Sequence, residues 1–187
     1  MAMLTIAASV LTTGNIKADE KDTTNETNTA TESKYANKAV ADIYSTTTLN
    51  IRKKGSINAK IVGKMKKGNI ATVLKKGSEW SKVRSGNVTG YVKNQYLVFG
   101  DEIENFAKQN VKKVAKVQTE TLRVRKKAST DSKIVTLVSE DDKLKVKKQT
   151  NDWAKVKVDG QTGYVSKDYA KVTYSFGKAK SMKQIQA

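Results

Sequence analysis

The sequence predicts an all-β chain built from two copies of one small barrel, joined by a short helical linker. Three observations carry that prediction. Leu49–Leu97 superposes without a gap on Leu122–Ala170 when the chain is shifted by 73 positions, and 18 of these 49 positions are identical, which marks a tandem duplication of one module. In the second copy Leu144 and Val146 interleave with Lys143, Lys145 and Lys147, as a strand with one buried and one wet face requires, and Ala71 and Val73 take the buried positions in the first. Gly55, Gly68, Gly77, Gly86 and Gly90 punctuate the first copy at short intervals and so separate short strands by turns.

Residues 1–18 read as a signal-peptide-like segment. Met3–Leu11 is a short apolar run, Ile16-Lys17-Ala18 ends on a small residue, and Asp19-Glu20 follow. A basic stretch at the very start is missing, which leaves open the alternative of a frayed N-terminus on a cytosolic protein. The apolar run falls short of the roughly 20 residues that cross a bilayer, so a transmembrane chain is not expected. Residues 19–38 are rich in Thr, Asn and Glu, cannot bury enough surface to offset the entropy of ordering, and are expected to form a disordered spacer.

The first barrel is placed at residues 39–98 and the second at 114–173. In the second, Asp159-Gly160 lies between Val156-Lys157-Val158 and Gln161–Val165, the signal of a two-residue hairpin. No long amphipathic helix interrupts either copy, and several short strands in about 60 residues indicate a small barrel. Such a barrel has a modest core, to which Trp80 or Trp153 is expected to be the largest single contributor. The linker at residues 99–113 differs. Ile103, Phe106, Ala107 and Val111 recur at helical spacing, Asp101 and Glu104 resemble a capping box, and Lys112-Lys113 suit the negative end of the helix dipole. Its apolar face is expected to pack on one or both barrels and make the pair semi-rigid. Residues 174–187 remain as a basic tail.

Composition narrows the function. The chain has no histidine and no cysteine, which removes the commonest general base, the thiol nucleophile, thiolate metal sites and any disulfide framework. No catalytic residue, metal site or cofactor is expected, and the chain reads as a non-enzyme. Its net charge is +18. The excess sits on Leu49–Leu97, at +11, on Leu122–Ala170, at +5, and on the last 17 residues, at +4. Such a field concentrates polyanions and weakens with salt, although lysines on wet strand faces and in turns also serve simply to keep the surface solvated. Only four of the 36 basic residues are arginine and 6% of residues are aromatic. Forked phosphate and base contacts, and stacking platforms for single strands, are therefore scarce, and specific nucleic-acid binding is not expected.

The ordered series Thr48-Leu49-Asn50-Ile51-Arg52, Lys60-Ile61-Val62-Gly63, Glu79-Trp80-Ser81-Lys82-Val83 and Thr89-Gly90-Tyr91-Val92 resembles the bacterial SH3 domain (SH3b, SH3_3 type). The second copy repeats it as Thr121-Leu122-Arg123-Val124-Arg125, Ile134-Val135, Asp152-Trp153-Ala154-Lys155-Val156 and Thr162-Gly163-Tyr164-Val165. The resemblance implies an SH3-like barrel and a secreted, wall-associated bacterial protein that binds the stem or cross-bridge peptide of peptidoglycan. Tandem copies behind a signal peptide also look like the targeting half of NlpC/P60-type cell-wall endopeptidases. Those use a catalytic Cys and His, which this chain lacks, so a hydrolase partner would lie C-terminal to it or on another polypeptide. The alternative is an exported adaptor for another protein or for an anionic polymer such as teichoic acid.

Within that frame, Tyr91 and Tyr164 follow the motif glycine, and Tyr96 and Tyr169 lie just beyond it. A ring with a polar tip suits a shallow peptide groove, so all four are candidate ligand contacts. Arg52 and Arg125, at the end of the first motif strand, can hold a ligand carboxylate or pin the following loop, and loop-pinning is favoured. Trp80 and Trp153 fit a core or a groove floor, with core preferred.

Overall fold

The computed structural model describes residues 33–187. The expectations for residues 1–18 and for the spacer as far as residue 32 lie outside the described residues. The first module comprises β1 (Lys38–Ala41), β2 (Leu49–Arg52), β3 (Ile61–Met65), β4 (Ile70–Lys75), β5 (Trp80–Ser85), β6 (Val88–Lys93) and β7 (Leu97–Phe99). After α1 (Glu102–Asn110) come β8 (Lys113–Val117), β9 (Thr121–Arg125), β10 (Ile134–Ser139), β11 (Lys143–Gln149), β12 (Trp153–Val158), β13 (Gln161–Ser166) and β14 (Ala170–Tyr174). β15 (Lys180–Ser181) and α2 (Met182–Gln186) follow. No helix among the described residues is long and apolar enough to cross a membrane.

The two sheets share one topology. The first runs β3-β2-β6-β5-β4-β1-β7 and the second β10-β9-β13-β12-β11-β8-β14, with β15 added outside β3 in the first. Even the irregularities are duplicated. The β2–β3 register slips at Val62 and the β9–β10 register at Val135, while β4 and β11 each bulge just beyond Val73 and Val146. Each of these positions lies 73 residues from its counterpart, so the extra twist of a bulge recurs at the same corner of both barrels.

Local chemistry accounts for the corners. Asp159 and Gly160 have φ of 46° and 83°, the two positive values of a type I′ turn, and they join β12 to β13 as the sequence expects. Gly90 and Gly163, in the Thr-Gly-Tyr-Val motif, sit where two strands cross closely. A Cβ on Gly90 would lie 2.5 Å from the carbonyl oxygen of Arg52, and one on Gly163 would lie 2.5 Å from Cγ1 of Val124. Only a hydrogen fits there.

Each sheet wraps its own core. Ile51, Met65, Val83 and Val92 fill the first; Val117, Val124, Val156 and Val165 fill the second. Neither tryptophan belongs to these clusters, against the expectation that they anchor them: Trp80 and Trp153 are half-buried at the barrel margin. Strand alternation is the physical reason. Ser81, Val83 and Ser85 of β5 point inward, which sends Trp80 outward with Lys82 and Arg84.

A third cluster lies over the first barrel. Ile103 and Phe106 of α1 pack there with Tyr35 and Val40, flanked by Ile70, Val98 and Phe176. The packed chain thus begins ahead of Lys38, because Tyr35 supplies an apolar anchor that a Thr/Asn/Glu-rich composition does not register. α1 begins at Asp101 as a cap position, but the Asp101 side chain makes no capping bond. Tyr174 at the end of β14 donates its O–H to Glu104 of α1 at 3.2 Å.

The segment after β14 runs back to the first module. Phe176 meets Tyr35 edge-on, with ring centroids 6.0 Å apart. The carbonyl of Gly177 accepts the N–H of Ile70 at 2.9 Å, Ala179 joins the first core, and β15 pairs antiparallel with β3, Lys180 opposite Lys64. One edge of the first sheet is therefore covered by residues that follow the second module.

Candidate functional site

β2 ends in Arg52, which lies opposite Tyr91 of β6, and β5 begins with Trp80, opposite Lys93. Because these residues share the outer face of the sheet, the loops at this end of the barrel close over them. Gly55, in the β2–β3 loop, approaches so near that an added Cβ would lie 3.1 Å from Cβ of Trp80. The result is a groove of about 230 Å³ with Trp80, Tyr96, Ile57, Leu49 and Arg52 among its walls and Thr48 and Lys93 at its rim.

The second module repeats it. A groove of about 290 Å³ there is lined by nine residues, including Trp153, Tyr169, Leu122, Arg125 and Thr130. Every one of the nine lies 73 positions beyond a residue lining the first groove. Two copies with separate cores thus form the same concavity from the same positions.

The candidate residues divide between this groove and its surroundings. Trp80, Tyr96 and Arg52 come together in the first groove, and Trp153, Tyr169 and Arg125 in the second. Tyr96 and Tyr169 keep 37% and 55% of their surface exposed, enough to meet a ligand. Tyr91 and Tyr164 are half-buried on the same outer face, farther along the strand, and line neither groove; Nζ of Lys155 lies 5.6 Å from the ring centre of Tyr164.

The arginines pin loops in both copies. Arg52 donates from Nη1 to the carbonyl of Ala59, and Arg125 from Nη1 to the carbonyl of Ser132, each at 2.8 Å. A guanidinium carries five N–H donors, so this bond fixes the side chain and leaves others to face the groove. Asn94 stiffens the opposite rim in the first module: its side-chain N–H groups donate to the carbonyls of Gly77 and Ser78, and its Oδ1 accepts from Ser81.

Several lining residues had no place among the sequence candidates, notably Leu49 and Leu122, Ile57 and Thr130, and Thr48 and Thr121. Ile57 carried a readable signal, being a large apolar residue in a polar loop, and it is 69% exposed.

The grooves are not identical in polarity. Asn50, Ile57 and Lys93 of the first correspond to Arg123, Thr130 and Ser166 of the second. Lys93 is paired with Glu79 at 3.2 Å, and Ser166 donates to Asp168 at 3.0 Å. The lining residues of both grooves include aromatic rings, hydroxyls and guanidinium groups but no carboxylate. Such a set can cradle a short, partly apolar chain bearing an acid; it offers no nucleophile–base pair.

A family model described as bacterial SH3 domain matches residues 47–98 and again residues 120–171. The chain is also 30% identical, over 127 residues, to a Bacillus subtilis (strain 168) protein provisionally named as the N-acetylmuramoyl-L-alanine amidase YrvJ. That match takes in 65% of this chain but only 24% of the relative. Among solved structures, an NlpC/P60 family protein from Bacillus cereus ATCC 10987 aligns over 74% of this chain and 57% of its own, with 14% identity and a TM-score of 0.33. NlpC2 from Trichomonas vaginalis aligns over 74% of this chain and 48% of its own, with 11% identity and a TM-score of 0.31. Likeness at that level is too slight to bear on function.

Proposed function

This chain belongs to the bacterial SH3 domain family, which it carries twice, and from that premise we propose that it is a non-catalytic, wall-binding module whose paired grooves take the stem or cross-bridge peptide of peptidoglycan. The observation that carries this reading is the coincidence of the two grooves, lined residue for residue 73 positions apart. Trp80 and Trp153 supply stacking surface, Tyr96 and Tyr169 an amphipathic wall, and Arg52 and Arg125 a fixed cation for a peptide carboxylate.

The likeness to an amidase supports a further step: the module holds a secreted peptidoglycan hydrolase against its substrate, the catalytic groups residing C-terminal to this chain or on a separate partner. Each groove is shallow and should bind weakly alone. Two grooves on one chain gain by effective concentration when both reach sites on the same polymer.

The test is sedimentation of the full chain with insoluble peptidoglycan stripped of teichoic acid. Retention at physiological salt, lost in the folded Y96A/Y169A variant, supports the reading. Retention only while teichoic acid is present favours instead an adaptor for an anionic polymer, a reading to which the charge of +18 lends weight.

A further inference from the structure

A second concavity, of about 470 Å³, opens where the returning C-terminal segment meets the first barrel. Lys64 and Lys66 contribute from β3 and the start of its following turn, Lys178 and Lys180 from the C-terminal segment, with Thr48, Asn69 and Gln184 among the remaining walls. No carboxylate is among the lining residues, and among the described residues none of the four lysines forms an ion pair.

That arrangement opposes itself electrostatically. Lys180 sits directly across from Lys64 in the β15–β3 ladder, and like charges facing one another across a ladder are destabilising. Lys66 and Lys178 lie just beyond the ends of that ladder and line the same concavity. Directly opposed strand residues are about 5 Å apart at their α-carbons, so Lys64 and Lys180 crowd one another while Lys66 and Lys178 add two more charges to the same cleft. All four are lysines, point charges on flexible stems, which suit a string of phosphates rather than one rigidly held carboxylate.

The second module has no counterpart. Leu137 and Ser139 stand where the first has Lys64 and Lys66, and no strand is paired outside β10 among the described residues. We propose that this cleft is a binding site for a phosphodiester or polyphosphate chain, formed only when the segment beyond the second module docks on the first. It shares only Thr48 with the first groove, and none of its four lysines lines either groove: peptide binding survives the loss of those lysines, and phosphate binding survives loss of the groove tyrosines.

The test uses the full chain with long-chain inorganic polyphosphate, titrated calorimetrically at two salt concentrations. K64Q/K180Q should bind about tenfold more weakly than the unsubstituted chain and with a shallower salt dependence, since fewer counterions are exchanged. K126Q/K127Q, which removes the same charge from an exposed loop, should stay within about twofold. Equal losses in the two variants, or no polyphosphate binding by the unsubstituted chain, overturn the proposal. Vesicles of phosphatidylglycerol and of phosphatidylcholine form a second arm; K64Q/K180Q losing phosphatidylglycerol binding while polyphosphate binding is unchanged assigns the lysines to a membrane surface and also overturns it. Should K64Q/K180Q fail to fold, K66Q/K178Q lies outside the β15–β3 pairing and must show the same loss for the proposal to stand.

Discussion

The backbone N–H of Ala179 donates to Oγ of Ser85 at 3.0 Å, joining residues 94 positions apart inside the first module. Ser85 in turn donates to the carbonyl of Ile70 at 2.6 Å, so one buried hydroxyl ties the returning segment to two elements of the barrel. Ser85→Ala leaves both groups without their partner, and a buried polar group so stranded costs about 1–3 kcal/mol. Urea denaturation of the full chain should show the first module destabilised by that amount. An unchanged midpoint would mean that the segment is held by Phe176 and β15 alone.

The strand crossing at the motif glycine gives a second expectation. In Gly163→Ala the new methyl meets Val124 at 2.5 Å and the Arg125 carbonyl at 3.0 Å, and overpacking of this kind costs about 1–3 kcal/mol. The second module should melt at lower temperature while the Asp159-Gly160 hairpin, which lies outside the crossing, keeps its amide signals. A melting curve identical to the unsubstituted chain would show that the strands part without cost.

Trp153→Ala separates packing from binding. The ring is half-buried and absent from the core cluster, so its removal should cost well under the roughly 3–5 kcal/mol typical of a core tryptophan. Val156→Ala, a core position at 0% exposure, should be at least as damaging to the melting curve despite the smaller side chain. Collapse of the module in Trp153→Ala would put the ring in the core after all.

Lys116 Nζ lies 2.6 Å from Oδ1 of Asp141. Its hydrogen bond and charge hold the Asp141 carboxyl below the usual carboxylate range. A folded-state value below the unfolded one means that the pair's contribution is present at neutral pH and fades as pH falls through the folded value. Both groups are exposed, so the effect on stability is small, but an NMR titration of Asp141 should show its midpoint rise in Lys116→Gln. No change would mean that solvent screens the pair completely.

How far the sequence reaches depends on whether a feature is local. The duplication, the Asp159-Gly160 hairpin and the helix around Ile103 and Phe106 are visible because each is written in neighbouring residues. The position of the tryptophans is also local: in Trp-Ser-Lys-Val-Arg-Ser the ring shares a strand face with Lys82 and Arg84, and period-two parity points it outward, a signal that an expectation resting on the ring's size does not use. Groove residues such as Leu49 and Ile57 belong to different elements and become neighbours only through the fold. The β15 pairing spans two residues with no alternation to betray it, and its partner lies more than a hundred positions earlier, so nothing in Ser175–Ala187 announces that it completes the first barrel.

The central claim is that the paired grooves are where the wall peptide binds. The chain has two tryptophans, one in each groove, so an ¹H–¹⁵N spectrum of the full chain carries two indole signals that report on nothing else. Titrated with a soluble muropeptide, both indole signals should move together with the amides of Tyr96 and Tyr169. Shifts confined to other surfaces, with both indoles fixed at saturation, would contradict the account.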